Sequence, residues 1–290
     1  MISTPLPSPK HQAPPWSSWE QWLNSPPGQY VLAWEEKCLA AAVGDVFGFH
    51  AVQIGLPQLD ALKANRMPLH ALLVSPGEVS LSLESPSETI PAFQQLKTLL
   101  STNRKEHSQR WHVLEGLPSE LPFANQSIDL VILPHVLEFA ADPHQVLREV
   151  DRILLPEGRV IISGFNPASL WGARQYLSHL FGAPYLPRTG QFISLLRLKD
   201  WLKLLDYSLD RGQFGCYKLP LQSTSAMARM AYLEPMGNRW WPIFGAVFLI
   251  SAIKRTPGMR LIGRIPAKRL KPLTQLTPVV EQHARPPQND

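Results

Sequence analysis

The alternation of apolar and polar residues is most regular between Ser127 and Asn166. Ile128-Asp-Leu-Val-Ile-Leu133 is a β-rich run, apolar enough for a strand covered on both faces. Asp142-Pro143-His144-Gln145 follows with the chemistry of a helix start. Asp142 can cap the free backbone N–H groups, Pro143 suits the first helical position, and Gln145 completes a capping box. Val146, Leu147, Val150, Ile153 and Leu154 then recur at helical spacing and form one apolar face. Pro156-Glu-Gly158 stops that helix, and Arg159-Val-Ile-Ile-Ser163 is the next strand. Asn166-Pro167 repeats the cap-then-proline start. Strand, helix, strand and helix in such close order predict a parallel sheet with right-handed crossovers.

The flanking regions carry weaker patterns. Gln29 to Phe47 reads as a helix, with Val31, Leu32, Trp34, Leu39 and Val43 covering one side. His50-Ala-Val-Gln-Ile-Gly55 is a short buried strand ending in glycine, Leu59 to Lys63 suits a helix, and Leu69 to Val74 gives a second strand. Phe93 to Leu100 reads as a helix and Trp111 to Leu114 as a third strand. Ser194 to Leu205 is an amphipathic helix with Leu195, Leu198, Leu202 and Leu205 inward. A strand from Tyr207 to Phe214, an irregular segment with Met227, Met230 and Met236, and a strand from Ile243 to Ile253 complete the order.

Proline usage divides the chain. Seven prolines precede Tyr30, and more follow Lys254. Proline neither continues a helix nor pairs inside a sheet, so residues 1–28 read as an arm, 29–253 as the domain and 254–290 as a tail. The formal charge of +5 is concentrated in that tail. Lys254, Arg255, Arg260, Arg264, Lys268, Arg269 and Lys271 could touch nucleic acid or acidic lipid, or simply be solvated. No aromatic residue lies among them to stack on bases, which argues against nucleic acid. Cys38 and Cys216 are far apart and fit neither zinc-site spacing nor a disulfide framework. No signal peptide or membrane-spanning run is visible, and a cytoplasmic location is expected. Oligomeric state is not legible.

The segment from Leu121-Pro-Phe through Ile128-Asp-Leu-Val-Ile-Leu-Pro-His-Val-Leu-Glu-Phe139 and Asp142-Pro to Glu157-Gly-Arg-Val-Ile-Ile-Ser163 resembles S-adenosylmethionine-dependent methyltransferases. It is most similar to the branch containing ubiquinone and menaquinone C-methyltransferases. This chain has Ile128 for the usual Phe, Phe139 for a second His, and Glu157-Gly158-Arg159 for Pro-Gly-Gly. Ile162-Ser-Gly-Phe-Asn-Pro167 more closely resembles the bacterial YafS-like proteins. The resemblance implies a Rossmann-like class I methyltransferase fold, an α/β sheet of about seven strands, mostly parallel with the last antiparallel, and helices on both faces.

It also implies a site beyond the carboxyl ends of the first four strands, with S-adenosyl-L-methionine as cofactor and a small molecule as substrate. On the positions of this chain, the cofactor would be held by Gln53, Gly55, Ser75, Leu117, Pro118 and Leu133. His135 would be a general base or would hold a substrate oxygen, and Glu138 and Asn166 would contact substrate. Met227, Met230, Trp240 and Trp241 would form a lid or pack against the sheet. The chain departs from the family where cofactor binding is concentrated. Only Gly55 matches the glycine-rich turn, Ser75 replaces the ribose-binding carboxylate, and Gly116-Leu117-Pro118 stands where Gly-Asp-Ala is expected. Lacking both carboxylates would weaken binding by ~3–6 kcal/mol if nothing replaced them. Two functions therefore stay open: an active methyltransferase, or a methyltransferase-fold binding module that has lost its cofactor.

Overall fold

The computed structural model describes residues 19–75, 111–181, 185–186, 190–221 and 224–255. Its centre is a seven-stranded sheet in the order β3-β2-β1-β4-β5-β7-β6. The strands are β1 His50–Ile54, β2 Leu69–Val74, β3 Trp111–Glu115, β4 Ile128–Pro134, β5 Leu154–Phe165, β6 Tyr207–Gly215 and β7 Val247–Lys254. β1 to β5 pair in parallel, and β7 lies antiparallel between β5 and β6. Strand order reverses between β1 and β4, where an open α/β sheet forms its ligand crevice.

The alternation within β4 explains why helices cover both faces. Leu130 and Ile132 enter one core with Trp22, Val31, Leu39 and Val43, from α1 (Trp19–Leu23) and α2 (Pro26–Val43). Val131 and Leu133 enter the other with Val146, Val150 and Ile153 of the helix after β4. That helix (Pro143–Ile153) is preceded by a short turn of helix, Val136–Phe139, and these are α4 and α3. Asp142 caps α4 by accepting from the N–H groups of His144 at 2.9 Å and Gln145 at 3.1 Å. Gln145 does not return the bond; its side chain reaches Ser119 and Arg148 instead. The Leu121-Pro-Phe123 segment meets α4 at Arg152, which donates to the carbonyls of Leu121 at 2.9 Å and Phe123 at 2.8 Å. Glu149 accepts from the N–H of Leu121 and pairs with Arg152 at 2.8 Å. The loop leading into β4 is thus tied to the helix leaving it.

Several sequence expectations shift. Residues 19–28 are not an irregular arm: Trp22, Leu23, Pro27 and Gly28 are buried. Ser25 caps α2, and Pro26 and Pro27 occupy its first turn, the one helical place where proline costs no hydrogen bond. Lys254 belongs to β7, its ammonium held by Asp151 at 3.1 Å. Residues 56–64 form turns rather than a helix. The region of Met227 to Met236 contains two short helices, α7 (Thr224–Arg229) and α8 (Leu233–Trp240), and β7 begins only after a 3₁₀ turn at Pro242–Phe244. The helix after β5 starts at Leu170, later than Asn166; this is α5 (Leu170–Phe181), and Ser169 Oγ accepts from Gly172 N at 3.1 Å. α6 (Leu195–Leu204) follows the expected amphipathic pattern, with Leu198 and Leu202 buried. The helix expected at Phe93 to Leu100, and the tail beyond Arg255, lie outside the described residues.

Candidate functional site

The chain turns sharply where β1 ends. Gly55 has φ of 72° and Leu56 of 48°, both in the left-handed region. Glycine enters that region freely, whereas a leucine there costs on the order of 1–2 kcal/mol. Gln53 holds the turn. Its side-chain amide donates to the carbonyls of Gly55, Leu56 and Leu59 at 3.1, 2.9 and 2.8 Å and accepts from Ala61 N at 3.2 Å. With these bonds made inside the loop, Gln53 is fully buried and acts on the cleft through the shape of residues 55–59.

A cavity of about 470 Å³ opens beside that turn, within the range of small-molecule sites. Gly55, Leu56, Ser75, Leu117, Pro118 and Pro134 line it from the strand ends; Trp19, Val136, Phe139, Asp142 and Val146 line it from the helices. Four of the positions expected to hold cofactor, Gly55, Ser75, Leu117 and Pro118, therefore converge with His135 on one space. Leu133 packs into the core with Val146 instead of lining the cavity, and Pro134 takes the lining position. Asn166 does not line the cavity. It donates to the carbonyls of Ile243 at 2.7 Å and Gly245 at 3.0 Å, fastening the turn before β7. Trp240 and Trp241 are exposed and lie outside the lining, so they form no lid over it.

His135 is also left-handed, with φ of 55°, and its N–H donates to Ser163 O at 3.1 Å. Its ring is buried between two carboxylates. Nδ1 lies 2.7 Å from Glu138 Oε2, and Nε2 lies 3.0 Å from Glu35 Oε1. The second contact is close but poorly aligned for a hydrogen bond. Glu138 also accepts from the N–H of Phe165, tying α3 to the end of β5. Burial alone would lower the imidazole pKa, but Glu35 and Glu138 outweigh it and raise it to about 10. Burial raises the Glu138 carboxyl, with His135 opposing. His135 is therefore an imidazolium at neutral pH with both nitrogens facing carboxylates, and this geometry offers no free base to the cavity.

Two participants had not been singled out from the sequence. Glu35 sits on the buried stripe of α2 with Val31 and Leu39 at four-residue spacing, and an acid inside such a stripe was the available signal. Trp19 stacks on Trp22 at 5.2 Å and covers His135 and Phe139 at 5.3 and 4.9 Å. Its three-residue spacing to Trp22 was a helical signal hidden among prolines.

The sheet order, the glycine ending β1 and the cavity at the reversal of strand order define the class I methyltransferase fold. A methyltransferase domain family matches residues 75–162, a span that excludes the Gly55 turn. The chain is 33% identical to protein YafS of Escherichia coli (strain K12) over 170 residues, covering 58% of this chain and 66% of that protein. It spans smaller shares of the other curated relatives. A chain of the complex between the Haloferax volcanii Trm112 methyltransferase activator and a methyltransferase has a TM-score of 0.53 at 16% identity, covering 82% of this chain and 96% of that one. The [4+2]-cyclase SpnF also scores 0.53, at 13% identity, with 79% and 82% covered. These structural likenesses show the fold. Among the described residues, no helix is long and apolar enough to cross a membrane.

Proposed function

We propose that the 470 Å³ cavity holds S-adenosyl-L-methionine and that the protein methylates a small, largely apolar molecule. The observation carrying this reading is the convergence of Gly55, Ser75, Leu117 and Pro118 at the reversal of strand order. Gly55 lets backbone approach the ligand, Ser75 stands beside it just past the end of β2, and Leu117 with Pro118 gives an apolar wall for a flat ring. When bound, the cofactor supplies a methyl group on a sulfonium, whose departure as a thioether needs no acid. The protein's task is then alignment of the acceptor atom and exclusion of water. Trp19, Phe139 and Val136 form the apolar side of the space. His135 acts as a positioning residue: with Glu35 and Glu138 it fixes the left-handed turn between β4 and α3 that shapes the cavity floor.

The second reading, a binding module without cofactor, is favoured by one specific feature. Among the described residues lining the cavity the acidic one is Asp142, and it is engaged in capping α4. Calorimetric titration with S-adenosylmethionine and S-adenosylhomocysteine separates the two. Saturable micromolar binding supports the enzyme, and the absence of heat from folded protein supports the module.

A further inference from the structure

The carboxyl-end rim of the sheet carries a second feature, independent of the cavity. Tyr232, Trp240, Trp241, Ile243 and Phe244 are each between 52% and 68% exposed, within thirteen residues of sequence. Single exposed apolar residues are ordinary; five large ones so closely grouped are not. Their backbone is held by the fold. Trp241 N donates to Gly237 O at 2.9 Å, Tyr217 Oη donates to Pro242 O at 2.8 Å, and Asn166 grips Ile243 O at 2.7 Å. The side chains thus project from a fixed platform that leads into Val247, the start of β7 opposite Phe165.

The exposed charge on this segment is positive. Arg229 and Arg239 are exposed on the same segment. Glu234 is turned inward, accepting from the N–H groups of Cys216 at 3.1 Å and Tyr217 at 3.2 Å. Aromatic residues with apolar bodies and polar tips, flanked by cations, suit the headgroup layer of a bilayer, where indole and phenol rings sit at the interface and isoleucine and phenylalanine reach the acyl boundary. Anionic lipid meets the exposed Arg229 and Arg239.

We propose that the surface formed by α8 and the Pro242–Phe244 turn is a peripheral docking site for membranes containing anionic lipid. Docking there turns the carboxyl-end rim of the sheet, on which the cavity also lies, toward the bilayer. The proposal does not depend on methyl transfer.

The test is co-flotation of the full-length protein with phosphatidylcholine vesicles, with and without a quarter of phosphatidylglycerol. The protein should float with the anionic vesicles and much less with the neutral ones. Serine at Trp240, Trp241, Ile243 and Phe244 should lower partition at least about tenfold, with the melting temperature unchanged because these side chains are outside the core. Brominated acyl chains should quench tryptophan fluorescence in the native protein, and Trp240→Phe with Trp241→Phe should abolish the quenching while preserving flotation. Equal flotation of the serine variant would overturn the proposal, assigning binding to the basic tail alone. Absence of vesicle binding, with self-association removed by the same serines, would also overturn it and assign the surface to a second copy of the chain.

Discussion

Replacing His135 by leucine removes the cation from between two buried carboxylates. In the native protein Glu138 lies 2.7 Å and Glu35 3.0 Å from the ring, and all three side chains are at most 3% exposed. Without the imidazolium both carboxyls must be stored uncharged. Holding a group of ordinary pKa about 4.3 neutral at pH 7 costs ~3–4 kcal/mol, so the pair costs up to ~7 kcal/mol. Relaxation and water entry reduce this, and removing one partner of a buried ion pair typically costs ~3–5 kcal/mol. At pH 5 the unfolded carboxyls are themselves partly protonated, and the same calculation leaves ~2 kcal/mol. Urea denaturation of both proteins at pH 5 and pH 7 should therefore show a deficit of ~3–7 kcal/mol at pH 7 that shrinks sharply at pH 5. A further variant with Glu35→Met and Glu138→Met beside His135→Leu removes the stranded carboxyls and should recover most of the loss, while remaining measurable if the single variant does not fold at neutral pH. A deficit below about 1 kcal/mol at pH 7, or one independent of pH, would refute a charged cluster.

The native protein has its own pH signature. The folded His135 pKa of about 10 stands above the ordinary 6.5, so its contribution is complete below pH 6.5 and is lost as pH rises through about 10. The raised Glu138 carboxyl acts in the same direction; thermal melts from pH 6.5 to 10 should fall progressively, and more steeply than those of the apolar triple variant. Gly28→Ala should destabilise by ~2 kcal/mol or more in chemical denaturation, because a Cβ there would lie 2.2 Å from Trp22 O and 2.5 Å from Leu23 Cα. Ser75→Asp places a carboxylate at the end of β2 beside the cavity. If the ribose binds there, it should tighten S-adenosylhomocysteine binding by ~1.5–3 kcal/mol in calorimetry, and unchanged affinity would move the ribose elsewhere. Deleting residues 257–290 should leave melting temperature unaltered, since β7 ends the sheet at Lys254.

The sheet was legible wherever local chemistry and tertiary role agree. Ile128 to Ser163 carries buried strands, an Asp-Pro helix start and one apolar helical face, and the structure builds the expected strand, helix and strand there. The prolines misled because their meaning depends on position: Pro26 and Pro27 break a helix interior but start α2. Leu59 and Leu62 have helical spacing, yet Gln53 captures the loop carbonyls and replaces helical bonds with turns. For the site, backbone positions were readable because strand order places them; Gly55, Ser75, Leu117 and Pro118 needed no knowledge of side-chain partners. His135 reads as a base or a substrate contact in the sequence because its second carboxylate comes from Glu35, one hundred residues earlier in the chain. No local pattern announces that contact.

Amide hydrogen exchange with and without S-adenosylmethionine tests the central claim most directly, because it reports where a ligand sits as well as whether it binds. Slowed exchange confined to the Gly55 turn, residues 116–119 and the His135–Val136 turn is the expected result. An unchanged pattern at saturating cofactor, or protection that leaves those three segments untouched, would contradict the assignment of this cavity to the cofactor.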